Sequence, residues 1–224
     1  MLSCSKDDPS ISSAHNRPEP LSRSTSPSAP DLFVVGWIQL TSGVKAASCK
    51  NGLITELAET TNPVQSRAGA TSIFVSGSDV YVGGMGFNGV HDYAMYWKNG
   101  EAVNLTDGIE DAWVNSIFVS GTDVYVAGVV VTSGHSTAVY WKNGVATSLP
   151  DGSTAHDIVV WGTDVYVAGM TSTWNPLGPA GYWKNGVFTR LVNGIASNTI
   201  VISGSDVYSS VFSSHSMASS WASR

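Results

Sequence analysis

Several acidic side chains are of the type and placement that acid–base chemistry needs. Glu110 and Asp111 are adjacent, and Asp92 or Asp157 could supply a partner carboxyl. Such a pair suits glycoside hydrolysis, in which one carboxyl gives a proton while another stays ionised. Three histidines, His91, His135 and His215, each stand three residues before an alanine of a recurring motif (Ala94, Ala138, Ala218). They therefore occupy equivalent places, and they could repeat one ligand contact or cap one kind of loop. A metal shared among them is not expected. Packed sheets stand about 10 Å apart, whereas a zinc–nitrogen bond is about 2.0–2.1 Å. Further aromatic and polar residues fall outside the recurring motif: Trp37, Phe87, Asn88, Trp113, His156, Trp174 and Asn175. No Gly-x-Ser-x-Gly elbow, phosphate loop or His-Glu-x-x-His helix is present, and nothing calls for a cofactor.

The elements that must position these residues are repeats. A clear copy reads Ser116-Ile-Phe-Val-Ser-Gly-Thr-Asp-Val-Tyr-Val-Ala-Gly128, followed by Ala138-Val-Tyr-Trp-Lys-Asn-Gly144. The marker aspartate recurs at Asp31, Asp79, Asp123, Asp164 and Asp206, at spacings of 48, 44, 41 and 42 residues. The Lys-Asn-Gly turn recurs at Lys50, Lys98, Lys142 and Lys184. Each copy reads as four short antiparallel strands, a to d. In the copy above they are Ile117–Val119, Val124–Val126, Ala138–Trp141 and Val145–Leu149. Their β-branched and aromatic residues suit a pleated surface. Asn-Gly closes the c–d hairpin, because its turn type needs positive φ at both central residues. No segment has the 3.6-residue period of a helix. Four strands per 40–45 residues match a propeller blade. The expected fold is all-β: a β-propeller of five blades, or part of a larger one. The first blade starts at strand b and the last ends after strand c.

The repeats resemble β-propeller blades of kelch-like layout. The Val-Tyr-Val-(Ala/Gly)-Gly strand resembles the kelch strand that ends in Gly-Gly. Gly83-Gly84 keeps that pair, while Ala127-Gly128 and Ala168-Gly169 depart from it. The Tyr-Trp-Lys-Asn-Gly strand is similar to repeats of bacterial surface lipoproteins. Leu2-Ser3-Cys4, followed by Ser5-Lys6-Asp7-Asp8, resembles the lipobox and acidic start of the same class. That resemblance implies acylation of Cys4 and a place on the outer surface of a bacterial cell envelope. The basic and apolar parts of a signal peptide do not precede Cys4.

Composition agrees with a tethered domain. Residues 1–30 hold nine serines and five of the nine prolines, too little apolar surface to offset ordering, so they read as a flexible tether. Residues 31–224 form the propeller domain. The net charge is −6 with 11 Lys and Arg, which argues against nucleic acid as a partner. No apolar run is long enough to cross a membrane as a helix, so membrane contact is expected only through a lipid anchor. Two cysteines exclude a disulfide framework, and Cys49, at the place of the repeat tryptophan, reads as a small buried hydrophobe. The oligomeric state is open.

Most of the repeated residues read as structural. A marker aspartate at a tight turn bonds its own backbone. Trp97, Trp141, Trp183 and Trp221 read as packing between blades. The turn lysines share a face with the aspartates, so their charges offset. The b–c and d–a loops lie on the other face, vary between copies, and hold the off-repeat residues. The first expectation is therefore a non-catalytic binding module for a glycan or a protein, using Trp37, Phe87, His91, Glu110, Asp111, Trp113, His135, His156 and Trp174 on that face. The alternatives are a carbohydrate-active hydrolase or lyase using the loop carboxylates, and a purely structural or protein-interaction repeat domain.

Overall fold

The computed structural model describes residues 31–41, 43–57, 66–172, 179–192, 194–213 and 216–223. These form five sheets in chain order, with no helix among the described residues. The first sheet holds β1 (Phe33–Leu40), β2 (Gly43–Lys50) and β3 (Leu53–Glu56), with β4 (Ser66–Arg67) lying parallel against β2. The second runs β5 (Gly69–Ser76), β6 (Asp79–Phe87), β7 (Asp92–Lys98), β8 (Glu101–Asn104). The third runs β9 (Asp111–Ser120), β10 (Asp123–Thr132), β11 (His135–Lys142), β12 (Val145–Ser148). The fourth runs β13 (Gly152–Trp161), β14 (Asp164–Thr171), β15 (Ala180–Lys184), β16 (Val187–Arg190). The fifth holds β17 (Ala196–Ser203), β18 (Asp206–Ser213) and β19 (Ser216–Ser223). Consecutive sheets pack face to face, β5 on β9, β9 on β13 and β13 on β17, so the first strands of successive sheets adjoin. This is a β-propeller.

The core lies between sheets rather than inside one. Tyr81 and Ala94 of the second sheet meet Ile117, Val126 and Trp141 of the third. Tyr125 and Ala138 of the third meet Ile158, Val167 and Trp183 of the fourth. Trp97, Trp141 and Trp183 are at most 1% exposed. Burying one tryptophan contributes on the order of 4–6 kcal/mol, as an upper bound from its ~150–250 Å². The repeat glycine after Val-Tyr-Val follows from this packing. A Cβ on Gly84, Gly128 or Gly169 would lie 2.1 Å from a carbonyl oxygen of the neighbouring first strand and 3.0–3.2 Å from the repeat tryptophan. This explains why Ala127 and Ala168 can replace the first glycine of the pair while the second stays.

The marker aspartate is the centre of a latch. Asp79, Asp123 and Asp164 accept from Asn99, Asn143 and Asn185 at 2.9, 2.8 and 2.8 Å. Their other oxygens pair with Lys98, Lys142 and Lys184 at 3.1, 2.8 and 2.7 Å. Each ammonium also lies 5.2–5.3 Å from the ring centre of Tyr81, Tyr125 or Tyr166. The first sheet repeats this with Asp31, Asn51, Lys50 and Phe33. Hydrogen bonds hold the carboxyls below the usual range, Asn99 leading for Asp79, and Lys142 and Lys184 leading for Asp123 and Asp164. Asn143 and Gly144 have φ of 50° and 82°, the paired positive values of a two-residue hairpin.

One expectation needs correction. The strands are longer than the conserved-looking cores of the repeat, so the residues assigned to variable loops lie mostly in strands. Trp37 is in β1, Phe87 in β6, Asp111 and Trp113 in β9, His135 in β11 and His156 in β13. The first strands of the second to fifth sheets also carry a β-bulge, at Thr71, Asn115, His156 and Asn198. A bulge breaks the two-residue alternation, which hides the start of the strand from pattern reading. Cys49 is buried, as expected.

Candidate functional site

The bulge residues face the next sheet. Thr71 donates to the Val114 carbonyl at 2.8 Å, and Asn115 to the Ala155 carbonyl at 2.7 Å. His156 stands in the same place, but its Nε2 is buried without a hydrogen-bond partner. Burial pushes its pKa down. Asp157, beside it, accepts from Ser116 Oγ, Ile158 N and Ile200 N at 2.7, 2.9 and 2.9 Å. Those three bonds make Asp157 a joint between the third, fourth and fifth sheets rather than a reactive acid.

At the end of the sheets opposite the latches, the second and third sheets bring two other carboxyls together. Asp92 opens β7 and Asp111 opens β9. Asp111 Oδ1 accepts from the Asp92 backbone N–H at 3.0 Å and lies 3.2 Å from His91 Nδ1. Asn88 sets this arrangement. Its Oδ1 accepts from the N–H groups of Val90 and His91, and its Nδ2 donates to the Gly108 carbonyl, at 3.0, 2.9 and 2.8 Å. One side chain thus ties the b–c hairpin of the second sheet to the segment leading into β9.

The two acids differ in environment. The Asp92 side chain is 16% exposed, and its Oδ1 is buried with no hydrogen-bond partner. Its Oδ2 pairs with Arg67 at 3.2 Å. Burial raises the Asp92 pKa, Arg67 opposes that, and the nearby Asp111 charge adds to it. Asp111 is 47% exposed, open to solvent on the same end. The Arg67 guanidinium also lies 5.9 Å from the Phe87 ring centre, and Arg67 borders a groove that Trp37 lines.

The sequence-derived residues therefore divide. His91 and Asp111 come together with Asp92, and Phe87 and Trp37 reach the group through Arg67. Glu110 turns instead to Thr132 of its own sheet. Trp113 is half-buried opposite Val129 within the third sheet. His135 is exposed at a hairpin corner, so it does not repeat the contact of His91. Trp174, Asn175, His215 and Cys4 lie outside the described residues. Arg67 was missed. Its signal was available, as an arginine off the repeat in a chain whose other folded cations are mostly turn lysines. Among the described residues no three His, Cys, Asp or Glu side chains are grouped to hold a metal ion.

No family model and no curated protein matches the chain. Among solved structures it is similar to a GH43 alpha-L-arabinofuranosidase from Clostridium thermocellum, at 13% identity and TM-score 0.38, over 75% of this chain and 70% of that one. It is also similar to a GH32 beta-fructofuranosidase from Bombyx mori, solved with sucrose, at 11% identity and TM-score 0.38, over 83% of this chain and 53% of that one. The chain thus spans about half the length of the second structure. Both neighbours are named as enzymes acting on carbohydrate. The expectation of a non-catalytic binding module is set aside for its hydrolase alternative on the acid pair described above.

Proposed function

We propose that the chain is a carbohydrate-active hydrolase working through Asp92 and Asp111. The observation that carries this is the pairing of two carboxyls in unlike environments, one buried and one open. A buried carboxyl with an unsatisfied oxygen favours its neutral form, which is the state a general acid needs. Asp92 would donate its proton to the leaving oxygen once Arg67 swings off Oδ2, a movement its exposed guanidinium can make. Asp111, held by His91 and the Asp92 N–H, would face the positive charge growing at the sugar carbon, and water would then add to that carbon and return a proton to Asp92. The kelch-like layout of the blades, the tether over residues 1–30, acylation of Cys4 and a place on the bacterial cell envelope belong to the same proposal. They rest on the Leu2-Ser3-Cys4 start and the repeat motifs.

The test is release of 4-nitrophenol from a panel of aryl pentosides and hexosides. Turnover is expected in the parent chain, with loss in Asp92→Asn and Asp111→Asn and retention in Glu110→Gln. No turnover across the panel, or full activity in both Asn variants, would refute the assignment.

A further inference from the structure

Beside the acid pair, between the first and second sheets, lies an open groove of about 230 Å³. Val44, Ala68, Gly69 and Met85 form its apolar floor, and Trp37, Gln39 and Arg67 border it. Trp37 stands six residues after its marker aspartate. In the second, third and fourth sheets that place holds Met85, Val129 and Met170, with Val129 fully buried, and in the fifth it holds Phe212, 54% exposed. In the first sheet the same place is a tryptophan 46% exposed. The repeat does not require an aromatic there, so blade packing does not account for it.

The groove's chemistry selects among ligands. A wholly apolar ligand would leave the Arg67 donors unanswered. An anion would gain little, because Arg67 is already paired with Asp92. A neutral ring with an apolar C–H face and a hydroxyl edge fits both surfaces. The face can lie on Trp37, and the hydroxyls can reach Arg67, whose bond to Asp92 uses one of five N–H donors. Gln39 is pinned at the rim by its bonds to the Leu40 and Gly43 carbonyls at 3.1 and 3.3 Å. The volume falls below the ~300–1,000 Å³ of drug-sized pockets, which limits the occupant to one ring.

We propose that this groove is a sugar-ring subsite in which Trp37 stacks on the ring and Arg67 joins its hydroxyls to the acid pair. The inference rests on the hydrolase reading for its choice of substrate, yet binding can be measured without turnover. Saturation-transfer NMR on the full chain with glucose, galactose, xylose and arabinose, each alone, is the experiment. At least one sugar should bind. Trp37→Ala should weaken it by roughly tenfold, about 1.4 kcal/mol. Trp37→Phe should restore part of the binding, and Asp92→Asn should keep it. No saturation transfer from any probe, or equal transfer in Trp37→Ala with its near-ultraviolet spectrum intact, overturns the subsite. Aryl glycoside turnover with KM unchanged in Trp37→Ala would remove the subsite and leave the hydrolase standing. Trp37-dependent binding without turnover would do the reverse.

Discussion

Replacing Gly128 by alanine tests whether the repeat glycine is fixed by the packing of strand on strand. The added Cβ would sit 2.1 Å from the Trp113 carbonyl oxygen and 3.2 Å from Trp141 Cζ3. Real Cβ contacts stop near 3.0 Å, so the oxygen or the glycine must move by nearly an ångström. The nearest atom is backbone, beside a bulge and against a tryptophan 1% exposed, so no flexible side chain can give way. Overpacking of this kind costs about 1–3 kcal/mol, and the backbone contact places Gly128→Ala at the upper end. For a chain of this size about 3 kcal/mol lowers Tm by roughly 6–12 °C. Gly69→Ala is the control. Its Cβ would find only Met85 Cε, at 3.8 Å, and its φ is not positive. That variant should match the parent or gain about 0.4–1 kcal/mol by restricting the unfolded chain. Thermal melts followed by near-ultraviolet circular dichroism read both. Gly128→Ala melting alongside Gly69→Ala would refute the packing argument.

His156→Asn should restore the cross-sheet bond that Asn115 makes and raise Tm, most of all in acid. The folded-state pKa of His156 is depressed, so the parent loses stability as pH falls below the ordinary histidine value of about 6.5. Melts from neutral pH downward should show the two chains diverging there, and parallel curves would count against it. Asp92→Asn should be more stable than the parent at neutral pH while losing turnover. A raised carboxyl pKa means the fold holds the proton more tightly, so the parent loses stability as pH rises from about 3.9 through the folded value. The advantage should vanish in strong acid, and an advantage independent of pH would contradict the assignment. Asn143→Ala removes bonds to the Val124 N–H and Asp123 and leaves alanine at φ 50°. It should cost about 1–3 kcal/mol by denaturant titration, and a neutral result would undo the latch as a structural device.

The repeat made much of this fold legible. Marker aspartates, Asn-Gly turns and strand tryptophans recur because every sheet needs the same hairpin and the same packing, and repetition exposes such needs. The first strands of the second to fifth sheets look short in sequence because each is bulged, at Thr71, Asn115, His156 and Asn198, and one extra residue shifts the alternation. Asp157 looked reactive by type, yet its oxygens are filled by backbone N–H groups of two sheets. Asp92 and Asp111 are legible in sequence as candidate acids, but their meeting depends on Asn88 tying a hairpin to a distant strand start. Arg67 escaped because a lone arginine has no periodicity to betray it.

The latch and the acid pair occupy opposite ends of the same hairpin. Asp79 and Phe87 bound β6, which at about 3.3 Å per residue separates them by roughly 26 Å. That exceeds the ~8 Å over which exposed charges act at physiological ionic strength. The four latches are therefore electrostatically deaf to the other end. Salt, or a change of lysine, can loosen the hairpin tips without altering the acidity of Asp92. Chemistry at the acid pair answers only to His91, Arg67 and the dryness of its immediate surroundings.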